Sequence, residues 1–404
     1  MINLVMRIHK IKNITDGEIC LPIYKGINCL VGANGCGKST VLSCLAQTVF
    51  SSSLKQLKEL DYTSESYVEF TYGEKKTKWY YDKVEKKWKS DVEINKRIHF
   101  NGMYEGSLFY GTRFADSLII DKLVKDGVIT YGSIIDADDY VKEKLSYIIY
   151  GDYSHYRNLK RIKNREIAKK ANLINMPYFQ EIDGNLISQY RMSSGECLLI
   201  SLLHFVYNAL IRSSLPADKP ILMLVDEIEL ALHPVAIMRL LDLLNEIIQK
   251  HENLNIVLTT HSPELIYKIN PNNIYMIELT PEKCLEIQSP CYPSYAVRNI
   301  YMHDGFDYVI LVEDLLAKYI IDTIIRKNHF SDSKLINVLP LGGWENVLKF
   351  QKEAHASNTF GIGSKVFSVL DGDIKDNADK VNAQFPKLFL PVPSVEKFLY
   401  KVCT

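Results

Sequence analysis

Apolar and polar positions along the chain recur with two different periods, and each change of period outlines an element. The stretch MRIHKIKNI near the start and INCLVG just after it read as strands, and Lys38 to Phe50 reads as a helix. From Tyr67 to Trp88 aromatic and polar residues alternate around Gly73 and Glu74, which predicts a hairpin. Ser117 to Leu173 looks helical and increasingly charged. A helix (Glu196 to Ile211), a strand (Pro220 to Asp226), a helix (Val235 to Lys250) and a strand (Asn255 to Thr260) follow. The Pro/Asn-rich run Ile269 to Asn273 and then SPCYPSY (Ser289 to Tyr295) mark the exit from a first domain. Beyond Phe306, strands at Tyr308 to Val312, Leu335 to Leu341 and Lys365 to Leu370 alternate with helices at Leu315 to Lys327 and Glu345 to Ala354. A last strand-helix pair covers Leu388 to Leu399. Such alternation implies parallel strands, so the expectation is an α/β chain in two parts: a head over 1–300 with a helical insertion near 117–175, then a smaller α/β domain with a parallel sheet over 301–404.

Composition narrows the partners. Lys+Arg and Asp+Glu are both 48, so no global basic field draws in nucleic acid, and any such contact needs a local patch. The eight cysteines show no metal-ligand spacing and fit a reduced thiol pool. The apolar start MINLVM is too short for a signal peptide, and Leu198 to Ile211, broken by His204 and Asn208, falls short of a membrane span. A cytoplasmic protein without a membrane partner is expected.

The chemistry begins at Gly32-Ala33-Asn34-Gly35-Cys36-Gly37-Lys38-Ser39, a full GxxxxGK[ST] pattern between an apolar strand and a helix. Glycines let backbone N–H groups curl around phosphates, and the helix N-terminus adds a favourable dipole. Lys38 then reaches the β and γ phosphates and the Ser39 hydroxyl ligates magnesium, with Thr40 following in the helix. The apolar strand Ile221 to Val225 ends in Asp226-Glu227, two carboxylates that need a cation at such a place. Asp226 fits the magnesium side and Glu227 the base that polarises water. Met192-Ser193-Ser194-Gly195-Glu196 opens an apolar helix as an N-cap, and Thr259-Thr260-His261 closes the next strand, where an imidazole can touch a γ-phosphate.

In this order and spacing the four pieces resemble the ABC-type ATPases of the SMC/RecF branch, with P-loop, signature, Walker B and switch histidine at Gly32–Ser39, Ser193–Glu196, Asp226–Glu227 and His261. The resemblance implies ATP and magnesium as ligands. It also implies a homodimer in which Ser193 and Gly195 of one protomer close over ATP held by the other. The run Glu229 to Pro234 is similar to the D-loop region of single-headed members, and the signature reads MSSGE where the family has LSGGQ. The interval from Lys38 to Ser193 is too short for long coiled-coil arms, which excludes a chromosome-spanning SMC protein.

In the second part, one strand ends in Val312-Glu313-Asp314 and a later one in Leu370-Asp371-Gly372-Asp373. Carboxylates on one edge of a parallel sheet occupy the usual ligand position of open α/β folds and repel one another unless a divalent metal intervenes. The alternative is that Asp371-Gly372-Asp373 is a simple turn. The arrangement resembles a TOPRIM domain, and a head followed by TOPRIM is the layout of OLD-family nucleases and related phage-defence ATPases. This implies magnesium-dependent DNA cleavage with Glu313, Asp371 and Asp373 as metal ligands or acid-base groups, and Glu396 as a further acidic position. Asp314 stands where the family has glycine, and Ala317 where it often has a carboxylate.

The basic run Arg157, Lys160, Arg161, Lys163, Arg165, Lys169 and Lys170, preceded by Tyr153 and Tyr156, either tracks a phosphate backbone or is a solvated helical face. Two functional readings follow. One is an ATPase that gates a TOPRIM nuclease acting on DNA. The other is an ATP-sensing scaffold for a partner defence protein, an effector nuclease or a reverse-transcriptase-type sensor.

Overall fold

The computed structural model describes residues 2–106, 116–212, 219–229, 232–301, 306–331, 333–361, 363–381, 385–394, 398 and 400. The chain divides into two compact units, Met1–Leu265 with Ile277–Ile287, and Ile266–Met276 with Gln288–Thr404.

The first unit is built on four parallel strands in the order Gly26–Val31, Leu254–Thr259, Ile221–Val225 and Asn101–Glu105. Ile221–Val225 and Leu254–Thr259 are buried at every position, which is why the first reads as an unbroken apolar run and the second as one interrupted only by buried Asn255 before its closing Thr259. Helix Pro234–Lys250 follows with buried Ala236, Ile237, Leu240, Leu241, Leu244, Ile247 and Ile248, the stripe expected of a helix with one face inward. A second sheet is antiparallel, in the order Ile14–Pro22, Asn3–Ile11, Tyr62–Tyr72, Lys75–Asp82 and Lys87–Ser90. The predicted hairpin lies here: Tyr72 pairs with Lys75 and Gly73 takes the positive φ that the tight turn needs.

The insertion departs from the helical expectation. Helices Ile120–Lys125, Asp139–Tyr150 and Arg165–Lys170 are interleaved with an antiparallel sheet in the order Asn185–Ser188, Tyr178–Ile182, Leu159–Ile162 and Ile134–Asp136. The misreading has a physical source. Leu159 and Ile162 are both buried and three apart, a helical spacing, while Lys160 and Arg161 between them are neutralised from the side. Lys160 pairs with Asp136 at 3.1 Å and Glu181 at 3.5 Å, and Arg161 with Asp138 at 3.1 Å. The basic run is therefore neither one helical face nor a row of unengaged cations.

The apolar helix after the signature lies where its sequence pattern places it. It spans Ser194–Phe205 and continues through a π-helical turn, Val206–Arg212. Among the described residues, Ser194–Arg212 is the helix long and apolar enough to cross a membrane by length and composition. Its Cys197, Leu198, Leu199, Ile200, Leu202, Leu203 and Val206 are buried within the protein.

The second unit holds a parallel sheet in the order Ile336–Pro340, Tyr308–Val312, Lys365–Leu370 and Lys387–Phe389. Its two faces are separately covered. Val309 and Leu311 pack with Val347 and Leu348 of helix Trp344–Ser357, and Ile310 and Val312 pack with Ala317 and Ile321 of helix Leu315–Lys327. Helix Lys375–Val381 was not anticipated, and the helix expected after Leu388 falls largely outside the described residues.

Candidate functional site

The phosphate-binding loop connects strand Gly26–Val31 to helix Lys38–Leu45. Gly32 is required by space: a Cβ there would stand 2.4 Å from the Ile277 carbonyl oxygen. Ala33, Asn34 and Gly35 form the exposed crest, and Cys36, Gly37, Lys38 and Thr40 lie buried beneath it. Gly37, at φ 102°, ends the loop just before the helix begins. The Asn13 amide donates to the Gly35 carbonyl at 2.5 Å and pins the crest to the preceding hairpin. Lys38 Nζ donates to the carbonyls of Gly32 at 2.9 Å and Ala33 at 3.0 Å, so the ammonium crosses the inside of the loop. Burial pushes the Cys36 thiol above its ordinary pKa although Lys38 pulls the other way.

Three neighbouring parallel strands bring the remaining groups to this loop. Ser39 Oγ lies 3.1 Å from Asp226 Oδ1, and Thr259 Oγ1 donates to the same carboxylate oxygen at 2.7 Å. Thr259 Oγ1 in turn accepts the Glu227 N–H at 2.7 Å. One hydroxyl thus ties the strand end bearing Asp226 and Glu227 to the strand that leads into His261. Glu227 has a left-handed backbone, φ 50°, unusual for a residue with a side chain. Burial, then the charges of Asp226 and Glu229, raise its carboxyl above the usual range. Burial and then Lys38 hold His261 below the ordinary imidazole pKa, which favours the neutral ring. Its backbone N–H donates to Glu229 Oε1, while Glu229 Oε2 is buried without a hydrogen-bond partner. Ser39 and Asp226 present two hard oxygen donors to one point, a set that fits magnesium.

At the signature, Ser193 caps helix Ser194–Phe205 through a complete capping box. Ser193 Oγ accepts the Glu196 N–H at 3.2 Å, and Glu196 Oε2 accepts the Ser193 N–H at 2.7 Å. Ser193 is exposed and Gly195 buried. Gln189, just before the signature, accepts the Tyr178 N–H at 2.8 Å. Sequence reasoning missed Thr259 as part of this machinery. Thr259 stood in the quoted run Thr259-Thr260-His261, so its place at a strand end was the available signal.

A protein-family model described as "AAA domain, putative AbiEii toxin, Type IV TA system" matches residues 113–266. Residues 113–266 are thus similar to an AAA-type ATPase domain. The matched stretch holds Ser193, Gly195, Asp226, Glu227 and His261 and begins after the phosphate loop. Solved structures similar to this chain include an SMC head bound to the C-winged helix domain of ScpA, at 15% identity and TM-score 0.44, covering 70% of this chain and 96% of that one. The SMC head domain from Thermotoga maritima is similar at 12% identity and TM-score 0.36, covering 71% and 98%. The recombination mediator protein RecF with ATP is similar at 14% identity and TM-score 0.38, again over 71% and 98%. No curated protein matches the sequence.

The carboxylates of the second unit lie at a topological switch point. From strand Tyr308–Val312 the chain passes to Ile336–Pro340 on one side and then to Lys365–Leu370 on the other. Glu313 and Asp371 follow the two strands that part there, the crevice where open α/β sheets take ligands. Glu313 Oε1 accepts the Asp371 N–H at 2.9 Å, and the Gly342 and Gly343 N–H groups donate to the Glu313 carbonyl at 2.8 and 3.1 Å. Burial raises the Glu313 carboxyl, with Asp314 and Asp373 adding to the rise. Asp314 is the N-cap of helix Leu315–Lys327, accepting the Ala317 N–H at 2.8 Å, and Ala317 is buried in the apolar layer. Asp371-Gly372-Asp373 is more than a turn. Its Gly372 and Asp373 N–H groups both donate at 3.0 Å to the Val392 and Pro393 carbonyls, and a Cβ on Gly372 would stand 2.6 Å from the former. Among the described residues no group of three or more His, Cys, Asp or Glu side chains is gathered to hold a metal ion. One Glu313 oxygen is engaged by the Asp371 backbone, and no step is derived through a metal there. Glu396 lies outside the described residues.

Proposed function

We propose that this protein is an ATP-hydrolysing switch whose two copies close around ATP and magnesium, and that it restrains or releases a defence effector. The observation that carries the reading is the hydrogen-bonded set Ser39, Asp226, Thr259 and Glu227 at the mouth of the Lys38 loop. Lys38 and the loop N–H groups hold the β and γ phosphates. Magnesium, when bound between Ser39 and Asp226, supplies charge neutralisation. Glu227, kept basic enough by burial and its carboxylate neighbours, orients and deprotonates the attacking water. His261, as a neutral imidazole, donates a hydrogen bond toward the γ-phosphate. Ser193 and Gly195 complete the site from the second copy. The defence setting is supported by the toxin–antitoxin description of the family that the ATPase domain matches.

The experiment is Ser193→Arg. A guanidinium at the exposed cap position blocks closure of two heads but lies outside the single-head ATP site. Nucleotide affinity is expected to stay at the wild-type level while turnover drops on the order of a hundredfold, as for loss of a positioned transition-state donor. Wild-type turnover would remove the trans-acting signature from the reading.

A second reading, DNA cleavage by the second unit, has one supporting observation: Glu313 and Asp371 meet at the switch point. Cleavage requires Asp373 and Asp371 to converge on Glu313 around magnesium. Plasmid DNA incubated with magnesium, with and without ATP, tests it. The nuclease reading expects nicking by the wild type, its loss in Asp371→Ala/Asp373→Ala, and ATP hydrolysis unchanged in that variant. Intact plasmid with the wild-type protein leaves the switch reading alone.

A further inference from the structure

The Glu196 carboxylate is held at both of its oxygens. Oε2 accepts the Ser193 N–H and closes the capping box, while Oε1 accepts the hydroxyl of Tyr156 at 2.5 Å. Tyr156 comes from the insertion, forty residues earlier, and only 1% of its surface is exposed. Its own position is fixed from two sides. Its N–H donates to Ser146 Oγ at 3.0 Å, on helix Asp139–Tyr150, and its ring lies against Tyr150 and His155. That helix is tied at its C-terminal end to helix Pro234–Lys250, where Arg239 Nη1 donates to the Tyr147 and Ile148 carbonyls at 3.3 Å.

We propose that Tyr156 is a positioning residue for the ATPase reaction, setting the signature serine by clamping Glu196. The physical reason lies in the hydroxyl's inventory. Ser193 Oγ spends acceptor capacity on the Glu196 N–H, which leaves its single proton to donate outward. That is the direction a phosphate on a second head requires. A capping carboxylate held at one oxygen can swing about its terminal torsion, whereas one held at both is fixed. Burial, with the neighbouring Glu196 second, pushes the phenol pKa well up, so Tyr156 remains a donor throughout the working pH range. The clamp also joins the end of helix Asp139–Tyr150, with exposed Tyr150, and the following turn, with exposed Tyr153, to the signature, so a disturbance there reaches Ser193.

This inference rests on the proposed role of Ser193, and the test separates the two. Tyr156→Phe keeps the buried ring and removes only the hydroxyl. Expected are wild-type ATP affinity and stoichiometry by fluorescent-nucleotide titration, and a kcat lower by about tenfold, the effect of one charge-assisted hydrogen bond. The decisive readout is a double-mutant cycle: once Glu196→Ala has removed the carboxylate, Tyr156→Phe should lower kcat no further. Unchanged kcat in Tyr156→Phe, or full additivity with Glu196→Ala, overturns the proposal. A general loss of fold would lower nucleotide stoichiometry instead of kcat and would equally count against it. If Ser193→Arg hydrolyses ATP normally, the reading beneath has failed; if Ser193→Arg is inactive and Tyr156→Phe is not impaired, only the clamp has failed.

Discussion

Lys38→Ala is expected to weaken ATP binding on the order of a few hundredfold. Lys38 is 5% exposed, and its ammonium lies inside the loop, donating to the Gly32 and Ala33 carbonyls. Two charge-assisted hydrogen bonds to phosphate at roughly 1.5–2 kcal/mol each amount to more than two decades of affinity. The fold should survive, because the carbonyls that lose Nζ, those of Gly32 and Ala33, belong to a loop with an exposed crest where water can replace the donor. Titration with a fluorescent ATP analogue checks this directly. Affinity within about threefold of wild type would show that the loop does not hold the phosphates.

Glu227→Gln should leave ATP affinity intact and slow steady-state hydrolysis on the order of a hundredfold or more. The amide is nearly isosteric, and the hydrogen bond at this residue that fixes the loop comes from its backbone N–H to Thr259, which the substitution leaves alone. With ATP unhydrolysed, closed dimers should accumulate in size-exclusion chromatography at the concentration where the wild type runs as a monomer. The pH profile adds a sign. Because burial and neighbouring carboxylates raise the Glu227 carboxyl, protonation removes the base at a higher pH than for a solvated glutamate. Wild-type turnover should therefore fall early on acidification, and the residual activity of the variant should lack that limb. Hydrolysis near the wild-type rate would move the base to another residue.

Much of this site was legible because its chemistry is local in sequence. Gly32 to Ser39 lie on one strand-loop-helix unit, and Asp226 and Glu227 terminate a run that is apolar for a plain reason, burial on both faces. The elements around Glu313 and Asp371 were equally plain, with Tyr308–Val312, Leu315–Lys327 and Lys365–Leu370 starting and ending where the pattern changes. What stayed hidden depends on partners far along the chain. Tyr156 looked like one aromatic among several until the fold set its hydroxyl on Glu196, and Thr259 looked like strand filler until it met Asp226. The insertion was misread because its strands are three to five residues long, too short for a period to be distinguished, and because ion pairs cover Lys160 and Arg161 between two buried apolar residues.

The left-handed backbone of Glu227 has a bearing on how this head tolerates sequence drift. A side chain at φ 50° carries strain on the order of 1 kcal/mol or more that glycine would not. The residue proposed to activate water is thus also a place where discarding the side chain relaxes the polypeptide. Selection for a sturdier head and selection for turnover pull against each other at this one position, and a chain freed from the need to hydrolyse ATP would gain stability by losing its base.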